Sequence, residues 1–175
     1  MTPAAIIFVG ILILLLIPIV VIDLRERRIP NALNAGLAVA GLGFQAVTAT
    51  SYVALPRALA AGAAIIVLFL GLIGLMRILK RPGTLGLGDI KFLAAAGIWV
   101  GFVGSTIVFV AASLLAVGYT LIRGRWRTID LRAAIPFGPF LAVSLALVFV
   151  ASNAPLRNVY PTSPAPSPDS TSIRH

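Results

Sequence analysis

The sequence contains no cysteine, and its single histidine is the last residue, His175. Disulfides, cysteine nucleophiles and cysteine-ligated zinc are excluded outright. The usual general base and imidazole metal ligand are missing from everything before the final residue. Carboxylates are nearly as scarce: Asp23, Glu26, Asp89, Asp130 and Asp169 are the whole set. Charged residues make up 11% of the 175 residues, against about 25% in an ordinary soluble domain. What fills the space is apolar: 59% of residues, with a mean hydropathy of +1.05. That balance describes an integral membrane protein whose length allows one compact bundle.

The net charge of +9 does not point to nucleic acid. The basic residues stand in short clusters between long apolar runs, as membrane loop charges do, and no basic, aromatic-interleaved patch could track a phosphate backbone. A hydrocarbon core of about 30 Å needs about 20 apolar residues per helix. On that rule the chain reads as an all-α, polytopic bundle of six transmembrane helices. The spans fall near Ala4–Ile22, Ala32–Thr48, Ala58–Leu79, Asp89–Val103, Ser105–Ile122 and Ala133–Ala151. The first lacks a basic leader and a small-residue cleavage site, so it is expected to be retained, with Pro18 near its end. Between the fourth and fifth only Gly101, Gly104 and Ser105 mark a turn. Six spans gather Arg25, Arg27, Arg28, Arg77, Lys80, Arg81, Lys91, Arg123, Arg125, Arg127 and Arg132 on one face. These are eleven of the fourteen Lys and Arg residues. The positive-inside rule then predicts a multi-pass membrane protein with those loops in the cytoplasm and both termini outside it. Small residues four apart, Ala32, Gly36 and Ala40 and again Gly97 and Gly101, suit close helix packing in lipid. Residues 1–151 form the predicted membrane domain, and the Pro- and Ser-rich stretch 152–175 reads as a disordered extracytoplasmic tail.

Chemistry has few places to reside. Asp169 lies in the tail, and Glu26 and Asp130 lie among arginines, where ion pairing explains them. Asp23 and Asp89 are different: one closes an apolar span and the other opens one, both at the predicted cytoplasmic boundary. A carboxylate at that depth is costly and is usually paired or functional. Asp89 equally suits an N-cap, and Asp23 suits the first interfacial residue after a helix. Two aspartates brought together could share a proton, one activating water while the other polarises a peptide carbonyl. That scheme requires no metal and no cofactor, and the composition predicts none.

Three segments carry a family resemblance. Asp23-Leu24-Arg25-Glu26-Arg27-Arg28-Ile29-Pro30-Asn31 resembles the first catalytic segment of the prepilin leader peptidases, an aspartate followed by basic residues and an Ile/Leu-Pro-Asn ending. Gly86-Leu87-Gly88-Asp89-Ile90-Lys91 is similar to their G-x-G-D-x-K segment, and Pro136-Phe137-Gly138-Pro139-Phe140-Leu141 to the segment that opens their last helix. The three occur in order, each at a predicted membrane edge. The resemblance implies an aspartic endopeptidase that cleaves type IV prepilin or pseudopilin leaders at the cytoplasmic face, with Asp23 and Asp89 as the catalytic pair. Substrate backbone is expected along Gly86 and Gly88, with Pro136 and Gly138 shaping the groove beside it. Lys91 is expected to meet a carboxylate or a lipid phosphate, and membrane lipids are expected partners of the basic loops.

Larger members of that family carry an N-terminal domain with paired CxxC motifs, associated with N-methylation. With 22 residues before Asp23 and no cysteine, the sequence is expected to represent a short, peptidase-only form. Two other readings stand beside this one. A presenilin-like intramembrane protease would show a tyrosine before its first aspartate and a P-A-L motif; here Ile22 precedes Asp23 and no P-A-L occurs. A small transporter or assembly factor would use the aspartates to bind protons or cations.

Overall fold

A computed structural model describes residues 2–49, 52–79, 86–124 and 136–154. The chain is all-helical among them, with α1 (Pro3–Glu26), α2 (Asn31–Thr48), α3 (Ala54–Ile78), α4 (Leu87–Gly124) and α5 (Gly138–Asn153). The expected loop between the last two spans, with Arg125, Arg127, Asp130 and Arg132, lies outside the described residues, as do Lys80, Arg81 and the tail from residue 155.

Each helix begins and ends where its residues allow. Thr2 caps α1 by accepting the Ala5 N–H, and Pro3 occupies the first turn, where its missing N–H costs nothing. α1 runs on through Pro18 to Glu26. Its outward residues are large and apolar: Ile7 is 63% exposed and Leu14 70%. Such faces belong in lipid, and α1, α3 and α4 are long and apolar enough to cross a membrane, while α5 is a shorter apolar helix.

The six expected spans appear as five helices because the expected fourth and fifth are one element, α4, broken at Gly101. There the backbone takes φ 74° and ψ 176°, a region open to glycine and strained for other residues. The chain doubles back at this point. Ser105 Oγ donates to the Leu93 carbonyl at 2.7 Å, whereas twelve residues of straight helix span about 18 Å. Trp99, before the break, meets Phe149 at the end of α5, while Tyr119, after it, meets Phe140 at the start. A helix continuing straight could not reach both.

Around this hairpin, α4 packs on α2, α3 and α5, and α1 packs on α2 and α5. Gly97 lets two backbones meet: a Cβ there would lie 3.4 Å from the Ala61 carbonyl group and the Gly62 Cα of α3. Gly101, expected to share that packing face, has open space around it and serves the reversal instead. Phe8, Phe44, Trp99 and Phe149 join α1, α2, α4 and α5 in one aromatic cluster, with Phe44 and Trp99 stacked at 5.8 Å. The Trp99 indole N–H donates to the Leu37 carbonyl at 2.8 Å, which satisfies the one polar atom that burial would otherwise strand.

Gly101→Ala tests the reversal. The substitution should destabilise the detergent-solubilised protein by about 1–3 kcal/mol, the usual cost of a non-glycine residue in such a conformation. An unchanged thermal midpoint would count against the break.

Candidate active site

Asp23 faces inward because of helical spacing. The buried residues of α1 are Ala5, Leu12, Leu16, Ile19 and Asp23, one stripe at intervals of three, four and seven. Asp23 is therefore the last position of a core stripe and is only 4% exposed. Directly after it α1 stops. Arg27 adopts a left-handed conformation, φ 52°, and its N–H closes the helix on the Asp23 carbonyl at 2.9 Å. Glu26, the neighbouring carboxylate, turns outward and pairs with Arg28 at 2.7 Å on the surface.

The partner of the buried carboxylate comes from the far end of the chain. Gly138 N–H donates to Asp23 Oδ2 at 2.9 Å. Gly138 is the first residue of α5, and α5 has no side-chain cap of its own. Asp23 thus serves as an N-terminal cap delivered from another helix, with its negative charge at the positive end of the α5 dipole. The fit is close: a Cβ on residue 138 would stand 2.6 Å from Asp23 Oδ2, 2.8 Å from its Cγ and 3.0 Å from its Cβ. Pro136 is half-buried just before the helix, and Pro139 occupies its first turn.

Asp89 sits in the first turn of α4. The capping place belongs to Gly86, whose carbonyl accepts the N–H groups of Asp89 at 3.1 Å and Ile90 at 3.3 Å. The Asp89 side chain reaches back to the Gly86 N–H, a reciprocal arrangement of the capping-box kind. A side chain on residue 86 would lie 3.2 Å from Asp89 Oδ2, so glycine leaves that carboxylate uncovered.

Asp23 and Asp89 lie at the same end of the bundle, where the charge on Asp23 is felt at Asp89. Their helices, α1 and α4, make no backbone contact among the described residues; α2 and α5 each touch both. The first turn of α2 holds the Asp89 segment. Asn34 Nδ2 donates to the Gly88 carbonyl at 3.3 Å, and Lys91 Nζ donates to Asn31 Oδ1 at 2.8 Å. Lys91 thus meets an amide and not the expected carboxylate. Ile29, in the α1–α2 connection, lies 3.5 Å from where a Cβ of Gly88 would be. Arg28, Ile29, Pro30 and Asn31 line an open recess of about 360 Å³ beside it. Among the described residues no three His, Cys, Asp or Glu side chains form a metal-ligand set.

Sequence reasoning missed two contributors, the Gly138 N–H as partner of Asp23 and Asn34 as partner of Gly88. The second had a visible signal: Asn31 and Asn34 are one turn apart in an otherwise apolar stretch.

The sequence falls in a known family. The type IV leader peptidase family model matches residues 10–121, and the chain belongs to that family. It is 34% identical over 142 residues to a prepilin leader peptidase/N-methyltransferase of Legionella pneumophila, covering 78% of this chain and 47% of that one. A Dickeya chrysanthemi protein of the same description is 35% identical over 130 residues, covering 74% and 45%. Leader peptidase HopD of Escherichia coli is 44% identical over 73 residues, covering 39% and 44%. The chain thus spans about half the length of the curated relatives it matches. No solved structure matches it.

The contrast between two glycines provides a test. Gly138→Ala should lower the thermal midpoint in detergent, at a cost of about 1–3 kcal/mol for overpacking, because the clash extends to the Asp23 Cβ and rotating the carboxylate does not relieve it. Gly88→Ala, with an ordinary 3.5 Å contact, should be tolerated. Equal midpoints for the two variants would refute the close approach of α5 to Asp23.

Proposed function

We propose that the chain is a membrane-embedded aspartic endopeptidase that removes the leader peptides of type IV prepilins or pseudopilins, with Asp23 and Asp89 as its catalytic pair. The observation that carries this reading is the placement of two carboxylates from separate helices at one end of the bundle, in a chain of the leader peptidase family. Family membership alone names the class of activity. The paired acids supply a way to perform it.

In this reading the two carboxylates share one proton. The ionised member takes a proton from water, which attacks the scissile carbonyl, while the protonated member donates a hydrogen bond to the carbonyl oxygen. Collapse of the tetrahedral intermediate breaks the C–N bond, and a proton passes to the leaving amine. The Gly138 N–H orients the Asp23 carboxylate throughout.

The two arms of α4 serve as the fourth and fifth of six membrane spans, which places the aspartate end at the cytoplasmic face and both termini on the other side. A prepilin presents a basic leader and an apolar helix. The apolar helix enters laterally from lipid and sets the junction at the level of the carboxylates. Gly86 is exposed beside Asp89, so extended substrate backbone passes there, with Pro136 and Gly138 bounding the opposite side. Arg25, Arg27 and Arg77 are exposed at this end and would repel a basic leader. Anionic headgroups hold both, at about 1 kcal/mol per basic residue.

Cleavage of a purified prepilin in detergent is the direct test. Asp23→Asn and Asp89→Asn should each lower the rate by roughly 10²–10⁴-fold while the protein still inserts in the membrane. Glu26→Gln should stay close to the parent rate, since it removes only an exposed ion pair. Full activity in either aspartate variant would defeat the pair, and absence of cleavage by the parent protein would leave the transporter reading standing.

A further inference from the structure

Asn34 is a buried polar residue beside the aspartates that the proposed reaction does not yet use. It is 5% exposed at the end of the first turn of α2, in an otherwise apolar stretch. Its Nδ2 donates to the Gly88 carbonyl. Because a carbonyl can only accept, that bond settles the orientation of the amide. The remaining atom, Oδ1, is buried and has no hydrogen-bond partner among the described residues. An amide with one unmatched atom in an apolar bundle lowers stability, so its presence calls for a reason beyond packing.

The reason lies in what Asn34 touches. Gly88 immediately precedes Asp89. Three residues further on, Lys91 donates to Asn31, which is three residues before Asn34. Two residues one turn apart on α2 therefore grip two residues one turn apart on α4, and Asp89 lies between them. The upper rung, Lys91 to Asn31, is exposed and is open to competition from water. The lower rung is partly buried and so better shielded from water than the upper one. Asp89's own bond to the Gly86 N–H is made within its own loop and helix and does not tie it to the rest of the bundle. α1 and α4 make no backbone contact among the described residues. Asp89 is therefore set relative to Asp23 through α2 and α5, which touch both helices, and at the first turn of α4 the side-chain hydrogen bonds come from α2.

We infer that Asn34 is a positioning residue that holds the Gly88 carbonyl and so sets the separation of Asp89 from Asp23. The inference rests on the aspartate-pair reading for its effect on rate, but the geometry can be tested without that reading. Asn34 is not a catalytic residue, because its bond is to backbone and not to a reacting atom. Its effect should therefore appear in turnover and not in substrate binding.

The test combines kinetics with a distance measurement. Asn34→Leu keeps the size and removes the bond, and Asn34→Thr is a second variant that restores a donor. With a purified prepilin, Asn34→Leu should lower kcat by about tenfold to a hundredfold, the scale of a small misplacement of a catalytic group. KM should be unchanged, and Asn34→Thr should recover part of the loss. Because the chain has no native cysteine, spin labels at Leu24→Cys and Leu87→Cys, both exposed positions beside the aspartates, report the separation directly. The distance distribution should broaden or shift in the Asn34→Leu background and stay narrow in the parent. If the distribution and kcat are unchanged, the inference is overturned. A fall in kcat with an unchanged distribution overturns it in favour of direct contact with substrate. A matching collapse of kcat, KM and thermal midpoint overturns it in favour of general structural support. Should the parent protein cleave no prepilin, the proposed function fails, and the spin-label distances alone decide whether Asn34 positions Asp89.

Discussion

Asp23 stands at the end of a helix with no other charged residue before it, turned inward and almost without solvent. A carboxylate in that position has to find hydrogen-bond donors inside the protein. α1 cannot supply them, because its own N–H groups at that level are committed to the helix. The donor comes from the start of another helix, where the first N–H groups have no partners within the helix. The need of Asp23 and the need of α5 meet in a single bond, from Gly138 to Oδ2. Much of the architecture follows from it: α5 has to begin at the level where α1 ends, and the residue making the contact has to be glycine.

The rest of the bundle keeps that meeting in register. Measured along the helices, the aromatic cluster lies about 15–22 Å from the aspartate end at 1.5 Å per residue: Phe8 relative to Asp23, Trp99 relative to Asp89, Phe149 relative to Gly138. Four helices are joined there by ring packing and by the Trp99–Leu37 hydrogen bond. Gln45 adds a bond to the Ile98 carbonyl at 2.8 Å, close to the Gly101 break. One end of the bundle is thus tied by packed rings, and the other carries the two aspartates with Asn31, Asn34 and Lys91 around Asp89.

How much of this the sequence disclosed depended on how local each cause is. Asp23 and Asp89 stood out because a carboxylate next to a long apolar run is conspicuous without any tertiary knowledge. The reversal at Gly101 was visible for the same reason: a run of apolar residues longer than one span has to turn somewhere, and glycines mark the turn. The part of Gly138 was not legible. Its bond joins residues 115 apart in sequence, and the P-F-G-P-F segment was legible only as a helix opening that shapes the substrate groove. Among the described residues Lys91 meets no carboxylate, although charge complementarity is what a sequence displays; the amide of Asn31 is what the fold places within reach. Asn34 was overlooked because Ala32, Gly36 and Ala40 drew attention to packing, and a single polar residue among them signals little until its neighbour across the helix interface is known.

The site has an asymmetry that follows from the contact order of the helices. Each aspartate is held by a helix that carries neither of them: Asp23 by α5, Asp89 through its backbone by α2. The helices that bear the pair do not meet backbone to backbone, and the two helices that touch both act as spacers between them. Direct packing of α1 on α4 would bring the two backbones together, whereas indirect fixing leaves their spacing to α2 and α5. The bond to Asp23 comes from the start of α5 and the bond to the Gly88 carbonyl from the first turn of α2. Each aspartate segment is thus fixed from a different helix, and Gly86 leaves the Asp89 carboxylate uncovered, so holding the pair does not require covering it.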